Sequence, residues 1–131
     1  MGFGCSGGDT PPTRLGLATG LALRTEGGEL CDAQDVIQSA DGLFFTCCCE
    51  PCKVVARSLP ARERAMPLVS YRDLGPVKTF VREVGWTGPV YLDPGSAVQL
   101  AAGITSCPKF LLRTGNSYLP ADVDQVLTRN Q

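Results

Sequence analysis

Apolar positions along the chain come in two spacings that alternate. Short continuous runs fit buried strands, and i, i+3, i+4 patterns fit amphipathic helices. Residues 21–24 and 30–31 flank Glu26-Gly27-Gly28-Glu29 and predict a hairpin turned by its glycines. Asp32 can cap a short helix that reaches Ser39 with Val36 and Ile37 facing inward. Leu43-Phe44-Phe45-Thr46 predicts a buried strand, followed by a helix over 51–64 that Pro60 kinks or ends. Residues 67–71 are the next strand, and Val77, Phe80, Val81 and Val84 lie at helical spacing. A strand over 89–93 stops at Pro94-Gly95, a short helix over 96–102 closes at Gly103, and a strand over 109–113 turns through 114–116. Residues 117–119 form its return, and 122–129 a last helix. This alternation predicts an α/β fold, a central mixed β-sheet flanked by helices, with an N-terminal β-hairpin.

The 131 residues are of one-domain size. With 44% hydrophobic and 19% charged residues, the chain is neither broadly disordered nor collagen-like. Residues 1–13, rich in Gly, Pro and small polar residues, are expected to be a flexible tail, and 14–131 the folded domain. Twelve basic against thirteen acidic residues give a charge of −1, so no basic surface points to nucleic acid. No apolar run is long enough to be a transmembrane segment. A monomer is the default expectation.

Cysteine changes the picture. The chain has seven Cys and no His, which excludes an imidazole base or ligand. An odd count leaves at least one cysteine over in any monomeric disulfide framework. Four of the seven, Cys47, Cys48, Cys49 and Cys52, fall within six residues, which suits a site better than a set of staples. In the tail, Gly4-Cys5-Ser6-Gly7-Gly8 resembles the start of a mature bacterial lipoprotein, with a lipid anchor at Cys5. Met1-Gly2 with Ser6 also fits a myristoylation pattern, and a plain tail with an incidental cysteine fits as well.

Cys49-Glu50-Pro51-Cys52 is a C-x-x-C placed between a strand and a helix. The strand delivers Cys49 to the surface. The unpaired N–H groups and positive end of the helix then favour its thiolate, the form that attacks disulfides. Cys52, one turn along, can reach Cys49 and close a small ring, so Cys49 is the expected nucleophile and Cys52 the resolving thiol. Pro51 suits the first helical turn. Glu50 places a negative charge near Cys49 and should make the pair more reducing. Lys53 could support the thiolates or be a solvated helix residue. A structural metal half-site and a plain pair of buried thiols use the same spacing.

Phe44-Phe45-Thr46-Cys47-Cys48-Cys49-Glu50-Pro51-Cys52-Lys53 resembles the active-site segment of thioredoxin-like proteins. Its Glu-Pro pair is similar to that of the extracytoplasmic TlpA/ResA-like thiol–disulfide oxidoreductases. The likeness continues through Gly88-Pro89-Val90-Tyr91-Leu92-Asp93-Pro94, Gly103-Ile104 and Pro108-Lys109-Phe110-Leu111-Leu112. It implies a thioredoxin-like fold and a dithiol that reduces or exchanges disulfides of protein substrates. No cofactor and no metal are implied, and an electron-donor partner recycles the pair. It also implies that Pro108 is cis and shapes a substrate groove beside Cys49, with Cys107 approaching the same sulfur. Cys48 stands where the family carries Trp, and Val55 where many members carry Glu. An extracytoplasmic, membrane-anchored location follows from the family and a lipidated Cys5. A cytoplasmic one follows from the lack of any leader-like segment in the sequence.

Other readings compete. Cys107 is a core residue, a third redox thiol, or a ligand completing a metal site with Cys49 and Cys52. Adjacent Cys47 and Cys48 should point to opposite sides, one buried and one exposed. Cys31 is expected to be unpaired, Trp86 to cover a sheet edge, and Asp93-Pro94-Gly95 to be a turn. Arg57, Arg62 and Arg64 are spaced like a solvated helix face. Thr46-Cys47-Cys48-Cys49 also has the Thr-x-x-Cys spacing of peroxiredoxins, with Cys49 as the peroxidatic thiol and Arg113 as a candidate support.

Overall fold

Alternation along one strand organises the molecule. The computed structural model describes residues 21–115 and 117–128. Strand β3 (Gly42–Phe45) is buried throughout. Leu43 and Phe45 point to one face of the sheet and Phe44 to the other, as a period of two requires. Strands β4 (Leu68–Ser70) and β5 (Val90–Leu92) continue the sheet in parallel from β3. On the other side β6 (Lys109–Thr114) pairs antiparallel with β3, and β7 (Ser117–Ala121) with β6. The N-terminal hairpin of β1 (Ala22–Thr25) and β2 (Leu30–Asp32) joins through β1 to β5. Among the described residues the sheet has seven strands, in the order β2-β1-β5-β4-β3-β6-β7.

Helices cover both faces. One core gathers Leu43, Phe45, Val69 and Leu111 with α1 (Ala33–Gln38) and α4 (Ala97–Ala101). The other gathers Phe44, Leu68 and Phe110 with α2 (Glu50–Ser58), α3 (Leu74–Val84) and α5 (Val123–Thr128). The mixed sheet, flanking helices and hairpin agree with the sequence pattern. Asp32 caps α1 by accepting the Gln34 N–H at 2.8 Å.

Several local expectations need correction. The helix expected over 51–64 ends at Ser58. Pro60 pushes Leu59 into an extended conformation and supplies no N–H, so the helix cannot run through it. A separate 3-10 turn follows at Glu63–Ala65. Arg57 and Arg62 remain exposed, whereas Arg64 is half-buried and donates to the Val84 carbonyl at 3.3 Å. Trp86 covers no edge: it is 5% exposed, stacks on Phe44 at 4.9 Å, and donates its indole N–H to Met66 O at 2.9 Å. Asp93 does lie at a turn, and its buried carboxylate also accepts the N–H groups of Val98 and Gln99 at 3.1 and 2.9 Å. Strand β7 extends two residues beyond the expected return. Cys31 is disulfide-bonded, against the expectation of an unpaired thiol, and its partner lies outside the described residues. The tail of residues 1–13, with Cys5 and the lipid anchor expected there, lies outside them too.

Candidate functional site

The site forms where β3 gives way to α2. Thr46, fully buried, continues the strand by donating its N–H to Val69 O at 3.0 Å. Its hydroxyl accepts the Cys48 N–H at 2.9 Å, which starts a tight turn. Cys48 then takes a left-handed backbone, φ 65, and breaks the strand alternation. Cys49 follows in extended conformation as the N-cap of α2, with Pro51 in the first turn. The Cys49 carbonyl accepts the first helical hydrogen bond, from Lys53 N–H at 3.1 Å.

This path places three sulfurs close together, those of Cys47, Cys49 and Cys52. Cys49 Sγ and Cys52 Sγ are 3.1 Å apart, in hydrogen-bond contact, and both are free thiols. Closing them to a disulfide of about 2.05 Å takes a movement of about 1 Å. Cys49 is half-buried, whereas Cys52 is 0% exposed beneath the helix. Cys47 Sγ stands 3.9 Å from Cys52 Sγ. The Cys107 thiol interacts with Cys47 foremost among the cysteines, and with Cys52 and Cys49 as well. The Cys107–Pro108 peptide is cis. Because Lys109 pairs with Phe45, Pro108 comes beside the end of β3, next to the cysteine turn.

Cys47 and Cys48 do diverge, but both are half-buried. The left-handed turn, and not strand pleating, separates them. Cys48 Sγ lies 4.0 Å from Ser70 Oγ and outside the close set of Cys47, Cys49 and Cys52. Burial pushes the Cys48 thiol up to about 11, against the lowering effect of Ser70. Burial, and then the Cys47 hydrogen bond, push the Cys107 thiol up to about 12. Glu50 is 79% exposed and pairs with Lys53 at 3.3 Å, and Lys53 also reaches Glu83 at 2.8 Å. Lys53 is thereby an ion-paired tie between α2 and α3, and Glu83, followed by Glu50, raises its pKa. The charge expected of Glu50 beside Cys49 is partly neutralised by this pairing.

Tyr71 belongs to the neighbourhood and has no motif to announce it. Its phenol titrates above the usual range, first because of Cys47 beside it, then through burial and Cys107. The triple cysteine run was the available signal for Cys47. Its approach to Cys52 depends on the turn at Cys48. Cys47, Cys49 and Cys52 form a set of sulfurs within 4.8 Å of one another, the one combination of this kind among the described residues. The expected metal set with Cys107 as third ligand is therefore replaced by one with Cys47.

Peroxidatic chemistry finds little support around Cys49. The Thr46 hydroxyl is committed to the turn. Arg113 donates its N–H to Asp41 O, before β3 begins, and so lies at the opposite end of the sheet from Cys49.

With this geometry in place, the fold can be assigned: it is thioredoxin-like. A secreted Mycobacterium tuberculosis disulfide oxidoreductase, described as homologous to E. coli DsbE, superposes with a TM-score of 0.65 at 18% identity, over 88% of this chain and 95% of that one. M. tuberculosis DsbF, in mixed oxidised and reduced forms, gives 0.66 at 18% identity, over 92% and 96%. An uncharacterised thioredoxin-like protein from Porphyromonas gingivalis gives 0.66 at 16%, over 90% and 91%. No protein-family model matches the chain, and no curated protein sequence matches it.

Proposed function

We propose that this protein is a thiol–disulfide oxidoreductase whose working pair is Cys49 and Cys52. The observation that carries the reading is the pair itself: an accessible sulfur at a helix N-cap, 3.1 Å from a buried one a turn later. The disulfide oxidoreductases of M. tuberculosis that share the fold support the same chemistry.

In this reading Cys49, as thiolate, attacks one sulfur of a protein disulfide. The other substrate sulfur leaves as a thiolate, and a mixed disulfide forms. Cys52 loses its proton and attacks Cys49 Sγ, which expels the second substrate sulfur and leaves the Cys49–Cys52 disulfide. The substrate has gained two electrons and the pair has lost them. A dithiol donor restores the pair, and the residues need no organic cofactor for any step. The α2 N-terminus stabilises negative charge on Cys49. Pro51 presets the first turn, Glu50 faces solvent, and cis Pro108 with Cys107 borders the groove where an extended substrate would lie. Among the described residues no helix is long and apolar enough to cross a membrane.

Reduction of insulin by dithiothreitol tests the reading. The parent protein should accelerate it, and Cys49→Ser and Cys52→Ser should each remove the acceleration. A parent rate equal to that of the double variant overturns the proposal. Cys52→Ser should also accumulate mixed disulfides through Cys49, visible as mass adducts that dithiothreitol releases.

A further inference from the structure

Three sulfurs meet at the start of α2, and the dithiol chemistry uses two of them. Cys47, Cys49 and Cys52 lie within 4.8 Å of one another, with separations of 3.1 Å for Cys49–Cys52 and 3.9 Å for Cys47–Cys52. Thiolates held at about 2.3 Å from one ion stand roughly 4 Å apart in a trigonal plane. Cys47 and Cys52 already have that spacing, and Cys49 reaches it by moving less than about 1 Å from Cys52. The donor set is entirely sulfur. Thiolate donors select soft ions, Cu(I), Zn(II) and iron–sulfur clusters among them. Zn(II) closes its structural sites with four ligands, and here three are gathered. Cys107 touches Cys47 but stands outside the mutually close set.

We propose that Cys47, Cys49 and Cys52 form a trigonal thiolate site for Cu(I) in the reduced protein. Binding exchanges three S–H protons for one monovalent ion and leaves a complex of net charge −2. The N-terminus of the nine-residue α2 offers its positive end to that charge. Cys48 and Cys107 lie outside the set: Cys48 Sγ stands against Ser70 Oγ at 4.0 Å, and the mutually close sulfurs are those of Cys47, Cys49 and Cys52. The ion and the disulfide exclude each other. A small-molecule disulfide oxidant that takes two electrons from Cys49 and Cys52 forms their S–S bond, removes two of the three ligands and releases Cu(I).

The test is anaerobic competition between the reduced, full-length protein and Cu(I)–bicinchoninate, whose colour fades as the protein takes the ion. One equivalent should transfer. Cys47→Ser and Cys47→Ala should bind more weakly by at least the roughly 10–100-fold typical of losing a group that merely supports a ligand. Both should keep the far-ultraviolet circular dichroism and urea midpoint of the parent to within a small shift, which shows that they fold. Cys48→Ser and Cys107→Ser should bind as the parent does, and oxidised protein should take no ion. Failure of the parent to fade the colour overturns the site, as does a Cys47 variant that competes as well as the parent. X-ray absorption showing two or four sulfurs around copper overturns the trigonal set. Because the insulin assay needs only Cys49 and Cys52, a failed copper titration leaves the proposed oxidoreductase reading standing, and the reverse also holds.

Discussion

Cys48 sits between two cysteines of the cluster and is set apart from both. Its left-handed backbone turns the sulfur toward Ser70, and burial raises its thiol to about 11. Alkylation with iodoacetamide, followed residue by residue by mass spectrometry, should therefore label Cys48 slowly at neutral pH, with a rate that climbs until about pH 11. Stability should carry the same signature. An unfolded thiol loses its proton near 9.0, and the folded one holds it to about 11. Between those values the folded chain binds more protons, so the stabilisation present below pH 9 is lost as pH rises through 11. Urea midpoints measured across this window should fall, and less steeply for Cys48→Ser. Such behaviour was not legible in the run of three cysteines. Identity gives reactivity in general, while the positive φ decides which sulfur faces which neighbour.

At the scale of elements, the loop before α4 shows how a polar side chain replaces a missing local cap. Ser96 opens that helix in a left-handed conformation and makes no side-chain cap, so Asp93 reaches over to two buried N–H groups. Asp93→Ala should cost about 1–2 kcal/mol, at the upper end for a lost cap, measured by chemical denaturation. A change below a few tenths would show that water replaces the carboxylate. The strands, the hairpin and most helices were readable because hydrophobic period and turn residues agree along the chain. The end of α2 was open in the sequence between Pro60 and Arg64, and of the two effects expected of Pro60 the structure shows the helix ending before it. The burial of Trp86 was not legible because its partner Phe44 is far away in sequence, and the capping role of Asp93 was not because turn residues alone do not say where a carboxylate points. The C-x-x-C pair needed only local order to be seen. Cys47 and Tyr71 needed the turn and the neighbouring strand.

Across the whole molecule, the sheet separates two kinds of opening. At the far end of β3 a cavity of about 660 Å³ is lined by Asp41, Glu63, Tyr91 and Arg113 among others. The cysteines lie at the opposite end, beside a smaller cavity of about 240 Å³ between Cys48, Arg72 and Glu83. Between them Phe44 packs against Trp86 and Phe110 at 4.9 Å each and Phe80 at 6.5 Å. Phe44→Ala should cost about 3–5 kcal/mol. A urea midpoint close to that of the parent would mean that the helices collapse into the space. Trp86 is the only tryptophan in the chain, and it lies in this buried aromatic stack. The molecule thus carries a built-in optical label: its ultraviolet emission should be blue-shifted when folded and move to the red when the stack opens. The colour of that single fluorophore can sort each altered protein into one that has lost its shape and one that has lost only its chemistry.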